Sequence, residues 1–254
     1  MIDIHTHLLP NIDDGPRDWK EAMALLKQGA DDGIRGAVCT SHVLNRLDEK
    51  IEQRLLAAFQ EFKIKAKQEG IEMSLWLGSE IHCQSIFEYT NKVATINGNK
   101  KYLLFELPLG DFPSDTNERI FQLNLDKVTL ILAHPERNIY IMNHPETAFE
   151  MVNRGVLMQM NAGSITGVFG KRVKRVAEIL MKHHLVHFVG SDCHNVYSRP
   201  MILSEAFHLI HKNYGAETAK NLFHRYPALA IKGDPIHAAP SMSPEKRKKR
   251  WILF

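Results

Sequence analysis

The chain has 254 residues, of which 44% are hydrophobic and 24% are charged, and its formal net charge at pH 7 is +3. A chain of this length can bury the core of one large domain, and it holds no apolar run long enough to cross a membrane as a helix. The segment EKRKKR at residues 245–250 carries a net charge of +4, so the remainder sums to −1, which argues against a nucleic-acid-binding surface.

The cysteines indicate a reducing compartment. Cys39, Cys83 and Cys193 are odd in number and have no C-x-x-C spacing, which argues against a disulfide framework. The chain also begins directly in a strand-like segment without a signal-peptide pattern. We therefore expect a cytoplasmic protein.

Seven strand-like segments alternate with amphipathic stretches along the chain. The strands begin near residues 2, 35, 72, 102, 128, 156 and 185, and helices are predicted over residues 18–33, 47–70, 116–125, 145–155 and 171–184. This repetition predicts an α/β fold of βα units on a parallel sheet, and seven units favour a closed or nearly closed, TIM-like (β/α)7 barrel. We expect one domain over residues 1–235 and a basic C-terminal tail over residues 236–254.

Nearly every predicted strand ends in a histidine or a carboxylate. In a βα barrel the working residues lie at the C-terminal ends of the strands or in the loops that follow. One His-x-His pair would be equally typical of a polar surface strand, but a ring of such residues at equivalent positions predicts a metal centre. In chain order the ring consists of His5, His7, Asp14, His42, Glu80, Glu106, His134, Asn161, Asp192 and His194.

The donor types indicate which metals and which substrate the site would take. Five histidines and four carboxylates without a thiolate suit Mn, Fe or Zn rather than Ca or a structural zinc, and they are enough for two or three divalent ions. Such a centre attracts a phosphate dianion and activates water for in-line attack on phosphorus. Arg137, in the segment HPERN, would stabilise the phosphate oxygens; the alternative is an ordinary surface arginine.

For several neighbouring residues the sequence allows more than one role. Asp13 competes with Asp14 for the same position before the turn at Gly15. His82 lies two residues beyond Glu80 and is either a further ligand or part of the pocket wall. His42 and His134 could cap helices or orient ligands instead of binding metal, and Asp3 could orient a ligand histidine.

Five motifs, in this order and spacing, carry a family resemblance: DIHTHLLPNIDDGP, GSEI, FELP, HPERN and GSDCH. Over roughly residues 1–235 they resemble the polymerase-and-histidinol-phosphatase (PHP) superfamily and, more narrowly, the bacterial manganese-dependent tyrosine-protein phosphatases of capsule and exopolysaccharide operons. The resemblance implies a distorted (β/α)7 barrel, a trinuclear Mn²⁺ centre and hydrolysis of phosphotyrosine on a cognate bacterial tyrosine autokinase.

The resemblance also implies a role for each site residue. Arg137 would bind the phosphate, and Asp192 and His194 would act in catalysis as well as in metal binding. The implied ligands are His5, His7, Glu80 and Asp192 for one ion, Glu80, Glu106 and His134 for a second, and Asp14, His42 and His194 for a third.

Other functions remain open on the sequence. The superfamily includes histidinol-phosphate phosphatases and nuclease- or polymerase-associated domains, and a metal-bound scaffold that regulates a kinase by docking is a non-enzymatic alternative. Cys193 and Arg199 match the C-x5-R spacing of cysteine-dependent phosphatases, but the intervening HNVYS lacks glycine for a tight phosphate loop. A homo-oligomer, and contact of the basic tail with a membrane or an acidic partner, are further possibilities.

Overall fold

The protein is an α/β structure in which every paired strand is parallel to its neighbour. The structure, a computed structural model, describes residues 1–244 except for the side chains of residues 87–89. The strands in this part of the chain are β1 (Ile2–Thr6), β2 (Gly36–Cys39), β3 (His42–Val43), β4 (Ser74–Leu77), β5 (Glu80–His82), β6 (Tyr102–Glu106), β7 (Thr129–Ala133), β8 (Leu157–Asn161) and β9 (Phe188–Gly190). They form a three-stranded sheet in the order β1-β2-β4 and a six-stranded sheet in the order β3-β5-β6-β7-β8-β9.

The second and third predicted strands are each divided into two short strands. The first part of each lies in the small sheet, and the second part, β3 or β5, lies in the large sheet. At the first break Thr40 bonds to β1, because Thr6 N–H donates to Thr40 Oγ1 at 3.0 Å and Thr40 N–H donates to Thr6 O at 2.8 Å. At the second break Ser79 Oγ donates to Val93 O at 2.8 Å. Side-chain hydroxyl groups thus bond to the backbone at both breaks.

The two sheets adjoin where the chain leaves β9. Asp192 N–H donates to His5 O at 2.9 Å, and His7 N–H donates to Cys193 O at 3.0 Å. The parallel α/β class expected from the sequence is confirmed, but the strands pair as two sheets rather than as one continuous barrel sheet. The chain order of the strands around these sheets places their C-terminal ends on one face of the molecule.

The helices cover the sheets, and each of the five predicted helices is present. In the described residues the helices are α1 (Trp19–Asp31), α2 (Glu49–Gln68), α3 (Thr116–Leu125), α4 (Ile139–Asn143), α5 (Glu146–Asn153), α6 (Ala162–Thr166), α7 (Lys171–Lys182), α8 (Ser204–Tyr214), α9 (Ala216–Lys220) and α10 (Tyr226–Lys232). A π-helical turn, Asn221–Arg225, joins α9 to α10. The helical region formed by α8, α9, the π-helical turn and α10 was not predicted from the sequence. No helix of residues 1–244 is both long and apolar enough to cross a membrane.

The core lies between the helices and the sheets. Leu25 and Leu26 of α1 and Phe62 of α2 are completely buried. Gly190 in β9 permits close packing against β1, because a Cβ atom there would lie 2.9 Å from the His5 Cβ. The basic segment 245–250, for which we predicted a separate role, lies outside the described residues.

Candidate metal centre

The nine predicted metal ligands converge on the face formed by the C-terminal ends of the strands. Their side chains come from strands of both sheets and from the loops that follow them. They are His5 and His7 at the end of and just after β1, Asp14 in the next loop, His42 in β3, Glu80 in β5, Glu106 in β6, His134 after β7, and Asp192 and His194 after β9. Asn161, the tenth member of the ring, ends β8.

Glu80 occupies the middle of this cluster. Its Oε2 lies 3.1 Å from His5 Nε2 and 3.3 Å from His7 Nε2, and its Oε1 lies 3.0 Å from His134 Nε2. The carboxylate is completely buried. His42 approaches from the opposite side, with Nδ1 3.0 Å from Glu80 Oε2. One buried carboxylate therefore lies within coordination range of four imidazoles.

Glu106 and Asp14 extend the cluster in two directions. Glu106 Oε1 lies 3.3 Å from His42 Nδ1. Asp14 Oδ1 lies 3.1 Å from His194 Nε2 and 3.5 Å from His42 Nε2, at the solvent-exposed rim. Three groups of residues each place one donor atom per residue within 4.8 Å of the others: His7, Asp14, His42 and His194; His5, His7 and Glu80; and His42, Glu80 and Glu106.

Asp192 connects the cluster to two arginines. Its Oδ1 lies 3.5 Å from His7 Nε2 and 2.5 Å from Arg199 Nη2, while its Oδ2 accepts a bond from Arg137 Nη1 at 3.0 Å. Asn161 Nδ2 donates to the same Oδ2 at 2.7 Å. In the sequence, Arg199 stands out only as the arginine of the C-x5-R spacing, and its position follows no pattern of metal ligands. The structure thus places a second guanidinium at the centre.

Polar side chains outside the predicted ligand set fix the orientation of the imidazoles. Asp13 Oδ2 lies 2.8 Å from His7 Nδ1, so Asp13 orients a histidine while Asp14 faces the cluster. Gln159 Oε1 accepts from His5 Nδ1 at 2.8 Å, a role that the sequence did not reveal. Asp3 contacts the predicted ligand His5 through the His5 backbone and not through its ring. The Asp3 carboxylate accepts backbone N–H groups of His5 and Ser191.

The centre contains buried polar atoms without hydrogen-bond partners, as is expected at a site that binds a cation. Glu80 Oε2 and His42 Nδ1 are buried and lie 3.0 Å apart, and neither forms a hydrogen bond of regular geometry. His5 Nε2 and His7 Nε2 face each other at 3.3 Å, although both rings use Nδ1 to bond their orienting side chains. Buried polar atoms are normally satisfied, so this arrangement fits divalent ions.

The buried carboxylates remain ionised. Burial alone would raise the pKa of Glu80, but the adjacent His5 and His134 hold it well below its usual range. For Asp192, burial is opposed by the same two histidines and by Arg199, and the pKa is again lowered. Ionised carboxylates are the form that binds divalent cations.

Two imidazoles carry protons in the absence of metal. Burial disfavours the charged form of His7, but Asp13 and Glu80 raise its pKa to about 9. Burial also opposes protonation of His42, while Glu106 and Glu80 raise its pKa to about 11. Because these protons occupy ring nitrogens in the cluster, binding of a metal ion there would release them.

The backbone is strained at two residues of the centre. His134 has φ of +35° and Asp192 has φ of +54°, in the left-handed region that residues with a side chain seldom adopt. Such conformations cost about 1–3 kcal/mol each and persist only where the surroundings enforce them. Both residues follow the end of a strand. Their backbone conformation directs the His134 side chain toward Glu80 and the Asp192 side chain toward His5.

His82 and Cys193 lie outside the three donor groups, as do the predicted ligands His134 and Asp192, which contact Glu80 and His5 respectively. His82 follows Glu80 in β5, and within the described residues no donor group includes it. Cys193 is completely buried in the hydrophobic core, and burial raises the pKa of its thiol well above the usual value. A buried, protonated thiol is a poor nucleophile, so the C-x5-R spacing does not form a cysteine-phosphatase site here.

Comparison with known proteins gives consistent matches over nearly the whole chain. The family model described as capsular polysaccharide synthesis, CpsB/CapC, matches residues 1–232. The chain is 30% identical to the tyrosine-protein phosphatase YwqE of Bacillus subtilis over 257 aligned residues, covering 100% of both chains. It is 31% identical to the tyrosine-protein phosphatase CpsB of Streptococcus agalactiae over 231 residues, covering 88% of this chain and 95% of the relative.

A solved structure extends the match to three dimensions. It comes from the crystal structures of YwqE from Bacillus subtilis and CpsB from Streptococcus pneumoniae, described as unique metal-dependent tyrosine phosphatases. The TM-score is 0.89 at 28% sequence identity, over 97% of this chain and 100% of the solved one.

Proposed function

Because the chain belongs to the CpsB/CapC family of capsular polysaccharide synthesis, we propose that it is a metal-dependent protein-tyrosine phosphatase, a hydrolase of phosphoric monoesters. The relatives named above are tyrosine-protein phosphatases, and they match the chain over most of its length. One observation carries the proposal. Five imidazoles and four carboxylates meet on one face with two guanidinium groups beside them, an arrangement suited to a phosphate dianion and divalent ions.

The ligand residues would hold two or three divalent ions. Candidate positions are His5, His7, Glu80 and Asp192 for one ion, Glu80, Glu106 and His134 for a second, and Asp14, His42 and His194 for a third. Contacts of Asp192 Oδ1 with His5 Nε2 at 3.6 Å, of His134 Nε2 with Glu80 Oε1 at 3.0 Å and of Asp14 Oδ1 with His194 Nε2 at 3.1 Å support this division. The three close donor groups divide the residues differently, since His7 also falls with Asp14, His42 and His194. The unpaired Glu80 Oε2 and His42 Nδ1 are consistent with bound ions. When bound, such ions polarise the phosphoryl group and supply an activated water as the nucleophile.

The protein's own groups prepare the site for this reaction. Gln159 accepts the Nδ1 proton of His5, and Asp13 bonds Nδ1 of His7, so both rings turn Nε2 toward the cluster. Arg137 and Arg199 can each donate two hydrogen bonds to phosphate oxygens and stabilise the charge that develops there. Both guanidinium groups are about one-fifth to one-quarter exposed, so a substrate can reach them from solvent.

We extend the proposal to the identity of the metal, the substrate protein and the cellular location. We favour Mn²⁺ as the metal, with Fe or Zn as alternatives, because the donor set mixes nitrogen and oxygen without a thiolate. The substrate would be a phosphotyrosine protein, for which we propose a bacterial tyrosine autokinase of capsule or exopolysaccharide synthesis. Cytoplasmic action is supported by three free, buried cysteines. A homo-oligomer and a docking role for the basic tail remain part of the hypothesis.

We also propose that the two sheets act together as one distorted (β/α)7 barrel over residues 1–235. The backbone bonds from β1 to the segment after β9 support this arrangement, because they join the outer strands of the two sheets. The proposed barrel would enclose the metal ligands at the C-terminal ends of its strands, which is where βα barrels carry their active sites.

The proposal is tested by metal-dependent turnover of phosphotyrosine peptides. The purified full chain should contain two or three metal ions, lose them with its activity on chelation, and regain activity when Mn²⁺ is added. Replacing both His5 and His7 with alanine should lower the metal content and the rate together. Full activity in chelator would refute the metal-dependent mechanism. A metal-loaded protein that hydrolyses neither phosphotyrosine nor an aryl phosphate would refute the phosphatase assignment and favour a scaffold role.

A further inference from the structure

Four positively charged side chains lie close together at the start of helix α7, on the same face of the molecule as the metal centre. They are Lys171, Arg172, Lys174 and Arg175, here called the α7 basic patch. Three are exposed, and Lys174 is half-buried. Within residues 1–244 none of the four forms an ion pair with a carboxylate; Arg172 Nη2 donates only to the neutral Asn143 Oδ1, at 2.8 Å. The patch is thus a concentration of unneutralised positive charge on a body whose net charge, with the patch included, is −1.

The charge pattern of this helix opposes its own stability. The first turn of a helix favours acidic side chains and disfavours cations, because the helix dipole is positive there. The first turn of α7 has no acidic residue, and its N-cap, Gly170, provides no side-chain hydrogen bond. Sequence choices that break a local rule in this way are expected where function requires them. An anionic partner bound by the four side chains would relieve the repulsion.

The patch is continuous with the catalytic face through Phe169. The guanidinium of Arg137 stacks on the Phe169 ring, with Cζ 4.6 Å from the ring centroid, and Phe169 lies two residues before Lys171. Val168, the preceding residue, is 65% exposed. An extended peptide advances about 3.5 Å per residue, so residues that flank a phosphotyrosine held at Arg137 can extend past Phe169 toward the patch.

We propose that the α7 basic patch, together with Val168 and Phe169, docks an acidic segment that flanks the phosphotyrosine of the substrate protein. This inference rests on the proposed phosphatase function and adds the chemistry by which a substrate is selected. The four side chains supply the charge complementarity, and the exposed Val168 and half-buried Phe169 supply an apolar surface between the patch and the phosphate-binding arginine. Charge of this kind acts mainly on the encounter with substrate rather than on the chemical step.

The test compares two synthetic phosphotyrosine peptides that differ only in their flanking residues, which are glutamate in one and glutamine in the other. The wild-type, metal-loaded protein should show a kcat/KM about ten-fold higher for the glutamate peptide at low ionic strength, and the ratio should shrink as salt is added. The variant K171Q/R172Q/K174Q/R175Q should lose the preference. The measured quantity is the ratio between the two peptides, so a general loss of activity cancels.

A charge-matched control is available on distant helices. The variant K27Q/K63Q/K67Q/K232Q removes the same number of positive charges from exposed lysines of α1, α2 and α10, and it should keep the wild-type preference. The patch variant should also melt at the same temperature as the wild type or higher, because it removes cations from the positive end of a helix. An unchanged preference in the patch variant, or an equal loss in the control, would overturn the proposal.

Two further measurements separate this inference from its alternatives. Co-sedimentation with phosphatidylserine vesicles that depends on the patch, in a protein with no peptide preference, would replace the acidic peptide by a membrane surface. If the metal-loaded protein turns over no phosphate ester at all, the proposed function fails. In that event, anisotropy of the labelled glutamate peptide decides the docking inference independently, since patch-dependent binding supports it and equal binding of both peptides overturns it.

Discussion

Arg137 and Arg199 both contact Asp192, yet they differ from every other residue of the centre because they carry donors and no metal-binding atom. We therefore expect Arg137→Ala to retain the bound metal and to lower kcat about 100-fold or more, the size of effect seen when a donor to developing charge is removed. Arg137→Lys should restore little, because an ammonium cannot bind phosphate in a bidentate manner. Elemental analysis beside steady-state kinetics checks both points. A loss of metal in Arg137→Ala would show that the arginine supports Asp192 instead.

Cys193 provides a test between two ways of cleaving phosphotyrosine. Its thiol is completely buried and its pKa is raised, whereas Asp192 and His194 on either side face the metal centre. Cys193→Ala should keep most of the activity, and Asp192→Ala or His194→Ala should remove most of it. Turnover of an aryl phosphate with metal content measured in parallel decides the matter. An inactive Cys193→Ala with full metal content, or a trapped phosphocysteine, would contradict the metal-dependent mechanism.

At the level of single residues, the sequence indicated which candidate ligands come together better than it indicated the side chains that orient them. The ligands follow a pattern, a histidine or carboxylate at each strand end, and the structure brings all nine together. Gln159 and Arg199 follow no such pattern, and the position of Asn161 at a strand end did not reveal its bond to Asp192, because a glutamine, an asparagine or an arginine has many uses. Their roles depend on which side chains happen to lie beside them across β8 and β9. The choice between Asp13 and Asp14 likewise required the conformation of the loop.

Among the secondary-structure elements, β8 and β9 are joined at their N-terminal ends by a buried histidine. His187 N–H donates to Met158 O at 2.9 Å, and Met158 N–H donates to His187 Nδ1 at 3.0 Å. A ring nitrogen that accepts this bond must be unprotonated, and burial lowers the pKa of His187 to about 4. The neutral ring therefore acts as part of the sheet.

This bond predicts how acid acts on the fold. Because the folded-state pKa of about 4 lies below the ordinary value of 6.5, His187 costs nothing above pH 6.5 and destabilises the fold increasingly as the pH falls from 6.5 toward 4. The loss is about 2 kcal/mol at pH 5. His187→Asn keeps an acceptor near the same position but cannot titrate, so its free energy of unfolding should fall less over this range. Urea unfolding of both proteins at pH 8 and pH 5 measures the difference; equal losses would contradict the prediction.

The elements themselves were predictable to the extent that periodicity determines them. All seven strand-like segments and all five predicted helices are present. The division of the second and third strands was not foreseeable, because the Thr40 and Ser79 hydroxyl groups at the two breaks bond to segments distant in the sequence. The helices α8 to α10 were not predicted, because they follow the last strand-like segment and so do not alternate with strands. Long-range contacts, rather than local propensity, decide each of these points.

On the scale of the whole molecule, the centre connects the two sheets. His5 and His7 belong to β1 and the residue just after it, at the small sheet, while His42, Glu80 and Glu106 belong to strands of the large one. In the absence of metal, the cluster holds buried carboxylates together with protonated imidazoles, and two of its polar atoms lack partners. Ions bound there would be shared by both sheets, so metal binding and folding should be coupled.

This coupling predicts a large effect of metal on thermal stability. Ligand at 100 times its Kd stabilises a native state by about 2.7 kcal/mol, which corresponds to a rise in Tm of about 5–10 °C for a domain of this size. The wild-type protein should therefore melt at a higher temperature in Mn²⁺ than in chelator, and Arg137→Ala should show the same rise. The double variant His5→Ala/His7→Ala should lose most of it. Because each protein is compared with itself by calorimetry, a lower starting stability of the double variant does not affect the result. A Tm unaffected by Mn²⁺ in the wild type, or an equal rise in the double variant, would show that these residues do not join the sheets through metal.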